Sequence, residues 1–365
     1  MRFKYLHLII NSNIRYNLKN LIGNSNDHKI VVVGNDYKDI DLNGINDSVF
    51  ESFVDNAKVI FVHFLNERNA KIINRLKSKK KIIWFCWGAD LYYLGGFENQ
   101  FLLKKTRLVR FKIGLKSYKG FKDLLKSILG RFSDYIPPNK HVLKAFNKID
   151  LIIPVVQQDY EMLLKNYNVK AGSFNINYLN NVFFQKPEVQ EDLPRKNIML
   201  GNSASFSNNH VELIDHLSRF DLKDRKVFIP LSYGNRNYAE YVQEYAKKHL
   251  GKPATILNNY LPFEQYIQIL NSCESVIMNH CRQQALGNII LALWFESNVF
   301  LNSKSGLYDH LIEKGFHILK TENYAPKTSI NKAEKKENKE LLLKSFGPVY
   351  SKERFEDLLS TIENL

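Results

Sequence analysis

The sequence predicts an α/β protein made of two mainly parallel sheets in series. Short β-rich apolar runs recur along the chain, helix-compatible stretches separate them, and 365 residues exceed what one compact core usually holds. Several runs are apolar at consecutive positions, which suits strands covered on both faces by helices. The β-rich runs of the first half are residues 3–10, 30–33, 59–64, 81–87 and 151–156. In the second they are residues 197–200, 226–230, 254–257, 275–278, 299–301 and 316–319. A helical pattern such as 262–271 places Tyr266, Ile269 and Leu270 on one side. Pro187 and Pro194, amid charged residues, break the pattern between Phe183 and Lys196 and mark a linker. The expected division is residues 1–185, residues 186–340, and a last amphipathic helix within 341–365 built on Phe355, Leu358, Leu359 and Ile362.

Composition narrows the function. A hydrophobic fraction of 44% argues against disorder, and no apolar run reaches the ~18 residues that span a bilayer. Met1 to Lys4 and the apolar stretch after them lack a small-residue cleavage site, so they read as a first strand rather than a signal peptide. Cys86, Cys273 and Cys281 are too few and too dispersed for a disulfide framework, which fits a reducing cytoplasm. The net charge of +15 points to nucleic acid, anionic lipid or phosphorylated ligands.

More than half of that excess lies between Gln100 and Arg131, where Asp123 is the single acid. Lys104, Lys105, Arg107, Arg110, Lys112, Lys116 and Lys119 are its first cations. Leu108, Phe111, Leu115, Tyr118, Phe121, Leu125, Ile128 and Phe132 recur at helical steps between the charges. This is the composition of a helix lying in an anionic membrane interface, with Gly114 and Gly120 expected to break it. The competing reading is a helix pair packed on the N-terminal sheet with a solvated basic face. No helix-turn-helix, finger or RNP-like signature accompanies the charge, so nucleic acid is not an expected partner.

Unusual polar residues collect where strands end, which is where α/β proteins hold their ligands. The run from Ile82 to Trp87 leads into Gly88-Ala89-Asp90, where Asp90 reads as either a proton acceptor or the cap of the next helix. Gly201-Asn202-Ser203 follows an apolar strand as a small-residue loop that exposes amides to an anion, or as a plain turn. Asn209 and His210 add donors or cap the following helix. Tyr233-Gly234 forms a further strand-to-loop junction, fit for a ribose or base or for turn chemistry alone. The stretch Met278 to Asn288 puts Arg282, Gln283, Gln284, Gly287 and Asn288 at a strand end and the start of an apolar helix. Arg suits a diphosphate through its planar fork of donors, and a structural ion pair is the rival role. Asp39 and Asp41 stand alone in a polar segment, and the histidines lack metal-ligand spacing, so no metal is expected.

These motifs, in this order, resemble the 4-alpha-L-fucosyltransferases of glycosyltransferase family 56. The resemblance rests on Trp87 to Tyr92, Gly201 to Ser203 with Asn209 and His210, Tyr233-Gly234, and Arg282 to Gln284 with Gly287. His7 falls at a similar place in the first strand, and the likeness runs to about Asn302. It implies a GT-B fold, two Rossmann-like domains facing each other across a cleft. It also implies an inverting, metal-independent transfer from a nucleotide diphosphate sugar, with dTDP a family donor, to a polyprenyl-diphosphate-linked saccharide. Such an enzyme is expected to sit peripherally on the inner face of the plasma membrane. The Gly201 loop, Arg282, Gln283, Gln284 and Asn288 would then serve the donor. Asp90 would serve the acceptor as base, with His7 and His63 in reserve. A UDP- or GDP-sugar transferase of another glycan, or a non-catalytic glycan- or lipid-binding scaffold, would use the same motifs.

Overall fold

The computed structural model describes residues 3–10, 12–33, 47–76, 79–92, 94–116, 139–176, 195–222 and 224–365. The chain forms two compact units, and each takes segments from both halves of the sequence. One comprises Met1–Gly96, Ile136–Lys186 and Phe346–Leu365; the other comprises Phe97–Tyr135 and Pro187–Ser345. The expected serial division therefore changes in two places: the basic segment belongs with the C-terminal unit, and the last helix belongs with the N-terminal one. The expected linker lies outside the described residues except for Arg195 and Lys196.

The first unit holds β1 (Tyr5–Ile9), β2 (His28–Val32), β3 (Val59–His63), β4 (Lys81–Cys86), β5 (Leu151–Pro154) and β6 (Gly172–Ser173). They form one parallel sheet in the order β2-β1-β3-β4-β5-β6. Every residue of β1 and β3 is buried, His7 and His63 included, as strands covered on both faces require. On one face Tyr5, Phe61, Phe85, Leu151 and Ile153 pack against Phe355, Leu358 and Ile362 of the last helix, Pro348–Glu363. A Lys4–Glu363 ion pair lies at the far end of that helix. The two-residue β6 escapes sequence reading because it is too short to carry a pattern.

The second unit holds β7 (Asn197–Leu200), β8 (Val227–Pro230), β9 (Ala254–Leu257), β10 (Cys273–Met278), β11 (Asn298–Leu301) and β12 (Leu319–Lys320). Its parallel sheet runs β12-β11-β10-β7-β8-β9, so the strand order reverses between β7 and β10. Loops after the two strands that flank such a reversal diverge to opposite faces and leave a crevice between them.

The basic segment begins as one helix, Lys104–Lys116, which continues through Gly114. Its inner face is Thr106, Val109 and Ile113, packed on the second unit's core rather than on the N-terminal sheet. Glu212 fixes its start, accepting from the Thr106 amide at 2.9 Å and the Thr106 hydroxyl at 2.6 Å. A carboxylate is favoured there by the unpaired first-turn amides and the helix dipole. Of the cations expected at a membrane, Lys105 is paired with Asp215, and Arg110 bonds Asn99 and covers the Phe206 ring. Lys104, Arg107 and Lys112 are exposed, whereas Lys119 lies outside the described residues. Among the described residues no helix is long and apolar enough to cross a membrane.

Phe355 is the aromatic anchor of the last helix and is buried to 4% exposure. Phe355→Ala should cost the first unit about 3–5 kcal/mol. A urea titration checks this, and an unmoved midpoint would show that the helix does not complete the sheet.

Candidate active site

In the second unit, two loops meet at the carboxyl ends of β7 and β10. After β7 the chain turns at Gly201, whose φ of +68° puts it in the left-handed region. A Cβ here would lie 2.7 Å from Asn208 Oδ1 and 2.8 Å from His210 Nε2, so only glycine fits. Asn208 Oδ1 accepts from the Asn202 amide at 2.9 Å and faces His280 Nε2 at 2.9 Å. That contact places the His280 proton on Nε2. A second glycine, Gly234 with φ of +117°, lies so close that a Cβ would sit 2.6 Å from the Ala204 carbonyl carbon.

The two loops are cross-bonded. Gln284 Nε2 donates to Asn202 Oδ1 at 3.0 Å, and Ser207 Oγ donates to Gln284 Oε1 at 2.6 Å. Asn202 Nδ2 donates to the Tyr233 hydroxyl at 2.8 Å, which leaves the Tyr233 ring 56% exposed. Arg282 lies at the same junction, buried to 9% exposure. Its Nη1 donates to the Gln283 carbonyl at 3.0 Å and its Nη2 lies 3.4 Å from Ser207 Oγ. Ser305 Oγ holds the Arg282 carbonyl at 3.1 Å. Next comes Ala285, left-handed at φ 61°, and then the helix Leu286–Trp294, whose first turn carries Gly287 and Asn288 and no side-chain cap. A guanidinium, side-chain amides and an uncapped helix start thus converge where the strand order reverses, a donor set suited to phosphate oxygens.

Other expected donors are spent within the fold. The Gly201 amide donates to the Ile277 carbonyl, the Ala204 amide to the Tyr233 carbonyl, and the Asn202 amide to Asn208. The Gly201 and Asn202 amides therefore serve the scaffold rather than an anion. Asn209 and His210 are fully buried as well, with His210 Nδ1 3.4 Å from the Tyr238 hydroxyl. Sequence reading missed Ser207 and Ser305, which brace the Arg282 loop, because single serines in turns carry no distinguishing signal.

In the first unit the strand order reverses between β1 and β3, and His7 and His63 stand on those two strands. His7 Nδ1 lies 3.1 Å from His63 Nε2, and His7 Nε2 lies 2.9 Å from His28 Nδ1. Phe61 stacks on His7 and Phe85 on His63. Burial holds His63 at about 3 and His28 at about 4. Burial, and then the neighbouring imidazoles, push His7 well below its ordinary value. All three are neutral imidazoles in series.

Asp90 has a different character from the one expected. Its Oδ2 accepts from the Leu65 amide at 3.0 Å and Trp84 Nε1 at 2.8 Å; its Oδ1 accepts from the Trp87 amide at 2.9 Å and faces Cys86 Sγ at 3.8 Å. A carboxylate has about four acceptor sites, and all four are engaged. Burial raises Asp90 to about 6 despite those donors. Trp84 and Phe85 point to opposite faces of β4, so Asp90 and His63 lie on opposite sides of the sheet. Asp90 is a structural anchor: it fixes the turn after β3, where Phe64 is held at φ 83°. Among the described residues no group of three or more His, Cys, Asp or Glu is arranged to hold a metal; Asp39 and Asp41 lie outside them.

Residues 173–361 match the family described as 4-alpha-L-fucosyltransferase, glycosyl transferase group 56. The chain belongs to that family. The matched stretch contains the Gly201 and Arg282 loops and leaves out His7, His63 and Asp90. Solved structures with similar folds cover almost the whole chain. Anabaena Alr3699/HepE, in complex with UDP and glucose, aligns with a TM-score of 0.64 at 11% identity over 99% of this chain and 100% of its own. The N-terminal domain of Candida albicans trehalose-6-phosphate phosphatase aligns at 0.62 and 10% identity, over 99% and 97%. A Rickettsia africae glycosyltransferase aligns at 0.57 and 11% identity, over 99% and 98%. At such identities the likeness is one of fold, and that fold is GT-B. Family and fold together make this group 56 member a nucleotide-sugar glycosyltransferase.

Two predictions follow from the buried polar groups. Asp90→Asn puts an amide donor against donors already in place, which should cost about 1–3 kcal/mol; denaturant unfolding reads the loss, and unchanged stability would rule out the anchor role. The second concerns acid. Burial also holds His210 at about 3 and His310 at about 4, and pushes His280 well down. Each is neutral when folded and takes a proton near 6.5 once unfolded. Their stabilisation is complete above that pH and is lost as pH falls toward 3–4. Asp90, raised rather than lowered, opposes this below about 6, but it is one group against six. The thermal midpoint should therefore drop between pH 7 and pH 5 in scanning calorimetry.

Proposed function

We propose that this glycosyltransferase moves a deoxy- or amino-sugar from a nucleotide diphosphate donor, dTDP-linked, onto a polyprenyl-diphosphate-linked saccharide in surface glycan synthesis. The acceptor reading puts the enzyme at the inner face of the plasma membrane. One observation carries the donor side of the reading: the cross-bonded Gly201 and Arg282 loops at the strand-order reversal of the second unit. Arg282, Gln284, Asn202 and the start of the helix Leu286–Trp294 meet the diphosphate, and the exposed Tyr233 ring offers a face to the base or ribose.

The reaction is a single displacement with inversion. The acceptor hydroxyl attacks the anomeric carbon, the bond to the diphosphate oxygen breaks, and the nucleotide leaves with the electron pair. Charge grows on that leaving oxygen, so fixed donors aimed there lower the barrier more than they stabilise the ground state. Arg282 and the helix start supply this without a metal. The acceptor's proton goes to the imidazole series beginning at His63. A single imidazole held at about 3 is a weak base, so the proton is relayed through His7 to half-buried His28, itself held at about 4, which releases it to water. Asp90 keeps the role of anchoring the turn beside them.

Arg282→Ala should lower kcat by about two to three orders of magnitude, the usual effect of losing one such donor. The fold should persist in circular dichroism, and normal turnover in the folded variant would overturn the assignment. Calorimetric titration with dTDP, UDP and GDP, with and without magnesium, names the donor class in the same preparation. Tight metal-free binding of dTDP is the expected result. Failure of every nucleotide to bind would leave a non-catalytic scaffold as the better reading.

A further inference from the structure

The helix Lys104–Lys116 is apolar on two sides. Thr106, Val109 and Ile113 form its inner face, a set spaced by three and four residues that the second unit buries. Lys104, Leu108, Phe111 and Leu115, spaced by four, three and four, form the opposite face. Leu108 is 55% exposed and Leu115 is 48% exposed, although a helix with one packed side would ordinarily show water a polar surface there. Exposed Arg107 and Lys112 flank this stripe on either side, and no acidic residue occurs between Gln100 and Lys116.

We propose that this outward stripe is a docking face for an anionic lipid bilayer, with Leu108, Phe111 and Leu115 entering the acyl boundary and Lys104, Arg107 and Lys112 meeting the headgroups. An apolar centre with a cationic rim is what an interfacial helix needs, and the uniform charge sign favours an anionic surface. The helix is anchored before it meets the bilayer. Glu212 holds its first turn, and Lys105 and Arg110, bound to Asp215 and Asn99, steady its flanks. Little ordering is left to be done on docking. The inference deepens the lipid-linked acceptor reading by naming the surface that meets the membrane, yet the docking itself stands on the helix alone.

The test is co-sedimentation of the full chain with vesicles of phosphatidylcholine, with or without phosphatidylglycerol. Wild type should pellet with the anionic vesicles at low salt, release at high salt, and stay in solution with phosphatidylcholine alone. Leu108→Gln with Leu115→Gln should weaken partition at least tenfold. Lys104→Glu or Lys112→Glu should weaken it about fivefold or more for each cation removed. All four side chains are solvent-facing, so unchanged thermal midpoints separate loss of docking from loss of fold. Absence of wild-type binding, equal binding by the leucine variant, or self-association through the stripe in its place would overturn the proposal. Turnover on a water-soluble acceptor analogue distinguishes the two readings. Vesicle binding without such turnover sinks the acceptor assignment alone, and turnover without vesicle binding sinks the docking face alone.

Discussion

The second unit is organised around the side-chain amide of Asn209. Its Oδ1 accepts from the Leu103 amide at 2.8 Å. Its Nδ2 faces the carbonyls of Phe101 at 3.1 Å, Ser207 at 3.2 Å and Asn279 at 3.0 Å. Three separate stretches of chain thereby converge on one buried group: the approach to the basic helix, the turn after β7 and the loop after β10. The backbone of Asn209 is left-handed, at φ 49° and ψ 43°, a conformation that asparagine tolerates better than most residues with a Cβ. That turn brings the chain from the short 3-10 helix Phe206–Asn208 into the helix His210–Leu217. Without it, Ser207 would not reach Gln284 and Arg282, and the two loops would lose their common frame.

The same economy of polar groups runs through both sheets. Strand tips in a parallel sheet expose amides and carbonyls that need partners, and burying them unpaired is costly. Here side chains supply the partners: Asp90 for the amides of Leu65 and Trp87, Asn208 for that of Asn202, and Asn69 for the Phe64 carbonyl. Histidine suits such interiors because a neutral imidazole both donates and accepts. His7 uses both ring nitrogens between His63 and His28, and stacked aromatic rings exclude water on either side. A network of this kind fixes where loops leave the sheet, so precision at the candidate site depends on residues that never face solvent.

Much of the fold was legible in the sequence, and the reasons are specific. Runs such as Ile82 to Trp87 and Val59 to Val62 are apolar at every position, and only a strand between helical layers accommodates that. The Gly201 turn and the Arg282–Gln284 loop stood out because small or polar residues interrupted such runs abruptly. Three features were hidden. The engagement of Asp90 depends on Leu65 and Trp84, which no local pattern links to it. The inner face of the basic helix is Thr106, Val109 and Ile113, a weaker apolar set than the outward leucines, so periodicity did not mark it. The His7–His63–His28 series needs strand register, since Leu8 pairs with both Val31 and Val62, and single residues do not announce a register.

The way the chain is divided also constrains how the protein can be assembled. The face of the first sheet that carries Phe61 and Phe85 is covered by Phe355, Leu358 and Ile362, which follow the whole of the second unit in sequence. Conversely, the frame around Asn209 requires Phe101 and Leu103, which precede it by about a hundred residues. A cut at the expected linker would leave the first sheet with an uncovered apolar face and the second without the partners of its central amide. Each half of the sequence thus lacks a part that the other supplies. Contacts at such sequence separation form late, because closing long loops must precede any gain from them. Both sheets therefore become complete only when the full chain is present, and the strand-order reversal that presents Arg282 is fixed by residues from both halves.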